Sequence, residues 1–175
     1  MPYQVFDLNP VDRITTDAVG EPGRRVFYLQ GRKGLEVVTL ICEKEHVSAL
    51  AMAIDQFLLT QADEDADAVV EPDPGIEAGM SLELPLEPLF RVGQVNLGFD
   101  QEGENLVVIA YELLEEEGDD AMPSIARFWA TPAQMRAFSI HGQEVVAAGR
   151  PTCSMCGEPI DPEGHFCPRK NGDRA

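Results

Sequence analysis

Residues 151–175 read PTCSMCGEPIDPEGHFCPRKNGDRA and hold three of the chain's four cysteines. Beside them the large apolar residues are only Met155, Ile160 and Phe166, too few to offset the entropy lost when two dozen residues are ordered. Something other than a hydrophobic core must order this segment. Cys153 and Cys156 form a Cys-x2-Cys pair whose gap lets both thiolates reach one ion, and Gly157 permits the tight turn that aims amide N–H groups at sulfur. Eight residues further on come His165 and then Cys167, completing Cys-x2-Cys-x8-His-x-Cys. Three sulfurs and one imidazole suit tetrahedral zinc, and with four protein ligands no position is left for water or substrate, so the expected ion is structural Zn2+. His-x-Cys is a less familiar ending than Cys-x2-Cys, which leaves Asp161, His141 or Cys42 as alternatives to His165. A redox Cys-x2-Cys belongs at a helix N-terminus in a βαβ setting; here a proline-containing coil follows instead.

The charge of the chain restricts its partners. Thirteen basic and 31 acidic residues give a net charge of -18, and residues 45–126 hold twenty of the acids against a single cation, Arg91. Such a chain repels phosphate backbones and anionic lipid, so nucleic acid and membrane surfaces are excluded and the expected partner is another protein. The acidic middle reads first as solvated loops and second as a docking surface for a basic partner. No run approaches the ~20 apolar residues of a membrane span, and MPYQVFDLNP lacks the basic head and apolar stretch of a secretory signal. A cytoplasmic protein with reduced thiols is expected.

With 44% hydrophobic residues the rest of the chain can build one core. Tyr3 to Leu8 reads as a strand ended by Asn9-Pro10, Val11 to Val19 as a poorly marked second strand, and Val26 to Leu29 with Leu35 to Cys42 as a hairpin. Val47, Leu50, Ala51, Ile54, Phe57 and Leu58 then recur at helical spacing, predicting a helix over about Glu43 to Gln61. A similar succession follows: Val95 to Phe99, Leu106 to Tyr111, an acidic loop from Glu115 to Asp120, and Ile125 to Ala130. Thr131-Pro132-Ala133-Gln134 is the clearest helix start in the chain, a capping box with proline at the first helical position. The expected fold is α+β, a mainly antiparallel sheet built from two strand-strand-helix pseudo-repeats, about 1–61 and 90–149, joined by an acidic surface connection over 62–89. Together these make a domain over 1–150, followed by a zinc-knuckle tail over 151–175.

Other candidate chemistry is thinner. Cys42 closes an apolar strand and reads as a small buried hydrophobe; His46 lies four residues on, with no third catalytic member beside the pair. Trp129 is expected in the core. Arg13, Arg24 and Arg25 are the candidates for an anion pocket between the two halves, against the plainer reading that they offset the acidic middle. Phosphate-binding glycine loops, Gly-x-Ser-x-Gly and His-Glu-x-x-His are all missing from the sequence. The favoured function is a non-catalytic protein-interaction or regulatory module with a structural zinc site. The alternative is an enzyme acting on a phosphorylated or other anionic small molecule through Arg13, Arg24 and Arg25.

FDLNPVDRITTDAVGEPGRRVFYLQ, together with CxxCGxPIDPEGHxCPRxNG at the end, resembles an actinobacterial domain-of-unknown-function family, DUF3090, along the whole chain. The resemblance carries no activity with it. It implies that Cys153, Cys156, His165 and Cys167 are the metal set, and its gene neighbourhood implies at most a pathway shared with a histidine-phosphatase-like and a lipid-kinase-like protein.

Overall fold

In the computed structural model, which describes residues 3–115, 121–149, 153–158, 160 and 164–170, the β-branched and alternating runs become seven strands. They are β1 Val5–Leu8, β2 Arg13–Val19, β3 Val26–Lys33, β4 Glu36–Cys42, β5 Pro88–Asp100, β6 Asn105–Glu112 and β7 Ile125–Ala130. Three α-helices accompany them among the described residues: α1 Lys44–Glu64, α2 Pro74–Ala78 and α3 Pro132–Ala147. The apolar stripe of α1 is its buried face, through Val47, Leu50, Ala51 and Ile54. Its start is a box in which His46 Nδ1 accepts from the Glu43 N–H at 3.0 Å. The α3 start is as the sequence predicts: the Gln134 N–H donates to Thr131 Oγ1 at 3.1 Å, and the Thr131 N–H donates to Gln134 Oε1 at 2.9 Å. Thr131→Ala removes one of these partners and is expected to cost about 1 kcal/mol, read as a lower urea midpoint with an unchanged m-value.

The strands form one sheet in the order β1-β7-β6-β5-β4-β3-β2. Four neighbouring pairs are antiparallel, but β1 with β7 and β4 with β5 are parallel. The expected mainly antiparallel sheet is thus corrected to a mixed one. The reason is the crossover: α1, α2 and their connections carry the chain from β4 back to enter β5 in the same direction, which a hairpin cannot do. The strand-strand-helix repetition is not what these pairings display. Each long helix follows three antiparallel strands, β2-β3-β4 before α1 and β5-β6-β7 before α3.

The sheet curls strongly. A Cβ on Gly31 of β3 would lie 2.5 Å from Phe128 Cδ1 of β7, although three strands separate β3 from β7 in the sheet order. The link between β1 and β2 ties these regions together, with the Val11 N–H donating to Trp129 O at 2.8 Å and the Asp12 N–H to Arg32 O at 2.7 Å. Leu8, Ile14, Leu40, Ile54, Phe128 and Phe138 are buried in one cluster. A Cβ on Gly142 would touch Val47, Thr16 and Ala51, which places α3 directly against both α1 and β2.

The acidic connection is less free than its composition suggests. Its middle part, Gly79 to Glu83, is strapped to β2 and β3 by polar side chains. Arg13 Nε donates to Gly79 O at 2.6 Å and Arg13 Nη2 donates to Ser81 O. Thr15 Oγ1 donates to Met80 O at 2.5 Å. The Gln30 amide makes two bonds to the Glu83 backbone, donating to its carbonyl at 3.1 Å and accepting its N–H at 2.7 Å. Met80 is buried beneath. Trp129 is only half-buried, lying under the Arg127 guanidinium at 5.3 Å rather than in the core. That guanidinium in turn pairs with Asp7 through two bonds of 2.7 and 2.6 Å.

Candidate metal centre

Cys153, Cys156, His165 and Cys167 come together, their ligand atoms all within 4.8 Å of one another. The turn that joins the first two is local. The Gly157 N–H donates to Cys153 O at 2.9 Å and the Cys153 N–H to Glu158 O at 2.8 Å, and Gly157 takes φ +78°, a conformation that suits glycine. Sγ of Cys153 lies 3.8 Å from Sγ of Cys167, and Sγ of Cys156 lies 3.4 Å from Nε2 of His165. Cys153 and Cys167 are buried while Cys156 is half-buried. His165 Nδ1 is buried without a hydrogen-bond partner among the described residues. Met155 and Phe166, each between two members of the group, stay exposed.

The amides of Cys156 and Met155 point at the Cys153 sulfur and hold its thiol down to about 6. Cys156 receives the amide of Glu158, which lowers it, but burial and the neighbouring thiols outweigh that bond and its pKa is raised. Metal ions bind thiolates, so protons compete with them. Cys153 is ionised at neutral pH and becomes a competitor only as the pH falls through about 6, whereas Cys156 must still lose its proton above neutrality. Metal affinity is therefore expected to rise with pH above 7 and to fall with an additional proton dependence below about pH 6, measured by competition with a chromophoric chelator at several pH values.

Of the alternative ligands, Cys42 and His141 do not join the group. Cys42 lies buried at the end of β4, its thiol pushed up to about 12 by burial and by Glu43. His141 on α3 faces β2, with Nε2 3.4 Å from Asp17 Oδ2. Asp161 lies outside the described residues. The sequence offered the four side chains, with the fourth place open between His165 and its alternatives, but not the backbone donors: which amides face sulfur depends on the turn, and Gly157 was the only signal for it.

The three candidate arginines are not brought together. Arg13 pairs with Arg32 and Val19 with Val26 in the β2–β3 register, so Arg13 stands at one end of that hairpin and Arg24 and Arg25 at the other. The Arg13 guanidinium is engaged with carbonyls of the strap and lies 3.8 Å from Glu83. Arg25 Nη1 donates to Val145 O at 2.8 Å and stacks over Phe27, and Arg24 is exposed. A single pocket lined by all three is thereby corrected: seven residues of strand keep them apart.

Fold and site together define an α+β protein with a mixed seven-stranded sheet and a C-terminal Cys/His cluster arranged to bind a metal ion. The chain belongs to the family described as "Protein of unknown function (DUF3090)", whose model matches residues 6–167 and so ends on the last cysteine of the cluster. Comparison with curated proteins and with solved structures finds no match. No helix among the described residues is long and apolar enough to cross a membrane.

Proposed function

We propose that this protein is a non-catalytic interaction or regulatory module whose tail is ordered by one structural Zn2+ held by Cys153, Cys156, His165 and Cys167. The observation that carries the reading is the pair of separations in the cluster. Two sulfurs about 2.3 Å from one tetrahedral ion stand about 3.8 Å apart, and a sulfur and a nitrogen about 3.5 Å apart. The 3.8 Å and 3.4 Å separations match both. The donor set supports zinc further, since thiolate and imidazole are the ligands it prefers and four protein ligands leave no open position for substrate. Imidazole bound through Nε2 would leave Nδ1 to a second partner, as metal-ligating histidines commonly arrange.

The net charge of -18 supports a protein partner with a basic face in the cytoplasm, and Met155 and Phe166 offer apolar contacts beside the ion. Elemental analysis of protein purified under reducing conditions tests the reading: one zinc per chain is expected, and a metal-free, fully reduced preparation would overturn it.

A further inference from the structure

The cluster holds three sulfurs, and their unequal exposure gives it a second chemistry. We propose, resting on the zinc reading, that it is a site of reversible oxidation by hydrogen peroxide, in which Cys156 is attacked first and a disulfide to Cys153 or Cys167 displaces the metal.

Of the four cysteines, Cys42, Cys153 and Cys167 are buried and Cys156 alone is partly open to solvent. Access therefore selects its sulfur. The Cys156 thiolate donates an electron pair to one peroxide oxygen, the O–O bond breaks, and hydroxide leaves with a sulfenic acid on sulfur. Because the ligand atoms of Cys153 and Cys167 lie within 4.8 Å, one of those sulfurs attacks the sulfenic sulfur, the S–S bond forms and a second hydroxide leaves. Two protons from solvent convert the hydroxides to water, and the two electrons lost by the sulfurs are those gained by the peroxide. The ion is left with two of its four ligands and dissociates. A thiol reductant reverses the step by exchange through a mixed disulfide. Cys42 stands outside this chemistry, buried in the domain with no second thiol in its surroundings.

The test uses the full chain. Zinc and free thiols are counted before and after hydrogen peroxide, with a colorimetric chelator reporting release and non-reducing peptide mass spectrometry reporting linkage. The first count separates the two ideas: absence of zinc before peroxide overturns the zinc reading itself. With zinc present, the inference expects loss of one zinc and two thiols per chain, a disulfide-linked peptide containing Cys156, an unmodified Cys42, and full recovery with dithiothreitol and added zinc. Retention of zinc under peroxide, a Cys153–Cys167 disulfide with Cys156 free, or irreversible sulfinic acid would each overturn it. Oxidation of the exposed Met155 is separated from these outcomes by its peptide mass.

Discussion

Cys153→Ser is expected to reduce the metal content from one ion per chain to near zero after dialysis against a chelator, while the domain melts almost unchanged. A serine hydroxyl at neutral pH is no substitute for a thiolate, and the free energy of a structural zinc site, about 10–16 kcal/mol in zinc-finger peptides, depends on a complete ligand set. The rest of the chain is expected to be spared because the large hydrophobic cluster formed by the sheet, α1 and α3 includes neither Cys153 nor Cys167. For a chain of this length 1 kcal/mol corresponds to a shift of about 2–4 °C, so a change in Tm below about 2 °C is expected. Zinc retained by the variant would refute the ligand assignment. Metal loss accompanied by a large fall in Tm would show that the ion also stabilises the domain.

The largest effect on stability is expected at Phe128. Its ring is fully buried on β7 and reaches across to β3, where Gly31 leaves the space it fills. Phe128→Ala is expected to cost about 3–5 kcal/mol, the usual range for a buried phenylalanine replaced by alanine, and to lower Tm by about 6–20 °C. Gly31→Ala approaches the same contact from the other side. Its Cβ would stand 2.5 and 2.7 Å from Phe128 ring atoms, and relieving that overlap is expected to cost about 1–3 kcal/mol. In the Phe128→Ala background only Leu8 Cδ1, at 3.2 Å, still crowds the new methyl, so the second substitution should then cost less. A thermodynamic cycle from urea unfolding checks the coupling; additive costs would mean that the sheet does not close on itself at this point.

Much of the fold was legible because local chemistry and tertiary burial agree. The stripe from Val47 to Ile54 and the box at Thr131 and Gln134 each specify a helix by periodicity or capping, and both helices stand where expected. Pairing was less legible. β4 and β5 are neighbours separated by the whole acidic connection, and the local pattern of neither strand names the other. β1 read correctly as a strand, but its parallel partner β7 lies more than a hundred residues away. In the cluster, spacing supplied the three cysteines and left His165 one of several candidates for the fourth place, which the family resemblance and then the folded geometry favoured. The arginines failed for the opposite reason. Arg13 and Arg25 have neighbours that only the folded chain supplies, carbonyls at Gly79 and Val145, at opposite ends of the β2–β3 hairpin. The same hidden geometry moved Trp129 out of the core and under Arg127.

The strap from Gly79 to Glu83 bears on how the acidic stretch carries its charge. A tethered random coil would present a diffuse negative cloud whose members rearrange around any approaching cation. Anchored by Arg13, Thr15 and Gln30, this part of the stretch is instead held in place, with Glu83 against Arg32 at 2.9 Å and Glu77 against Arg136 on α3 just ahead of it. Both carboxylates are thus answered by the chain's own cations, so an incoming basic surface would have to find its pairs among the other acids of the stretch.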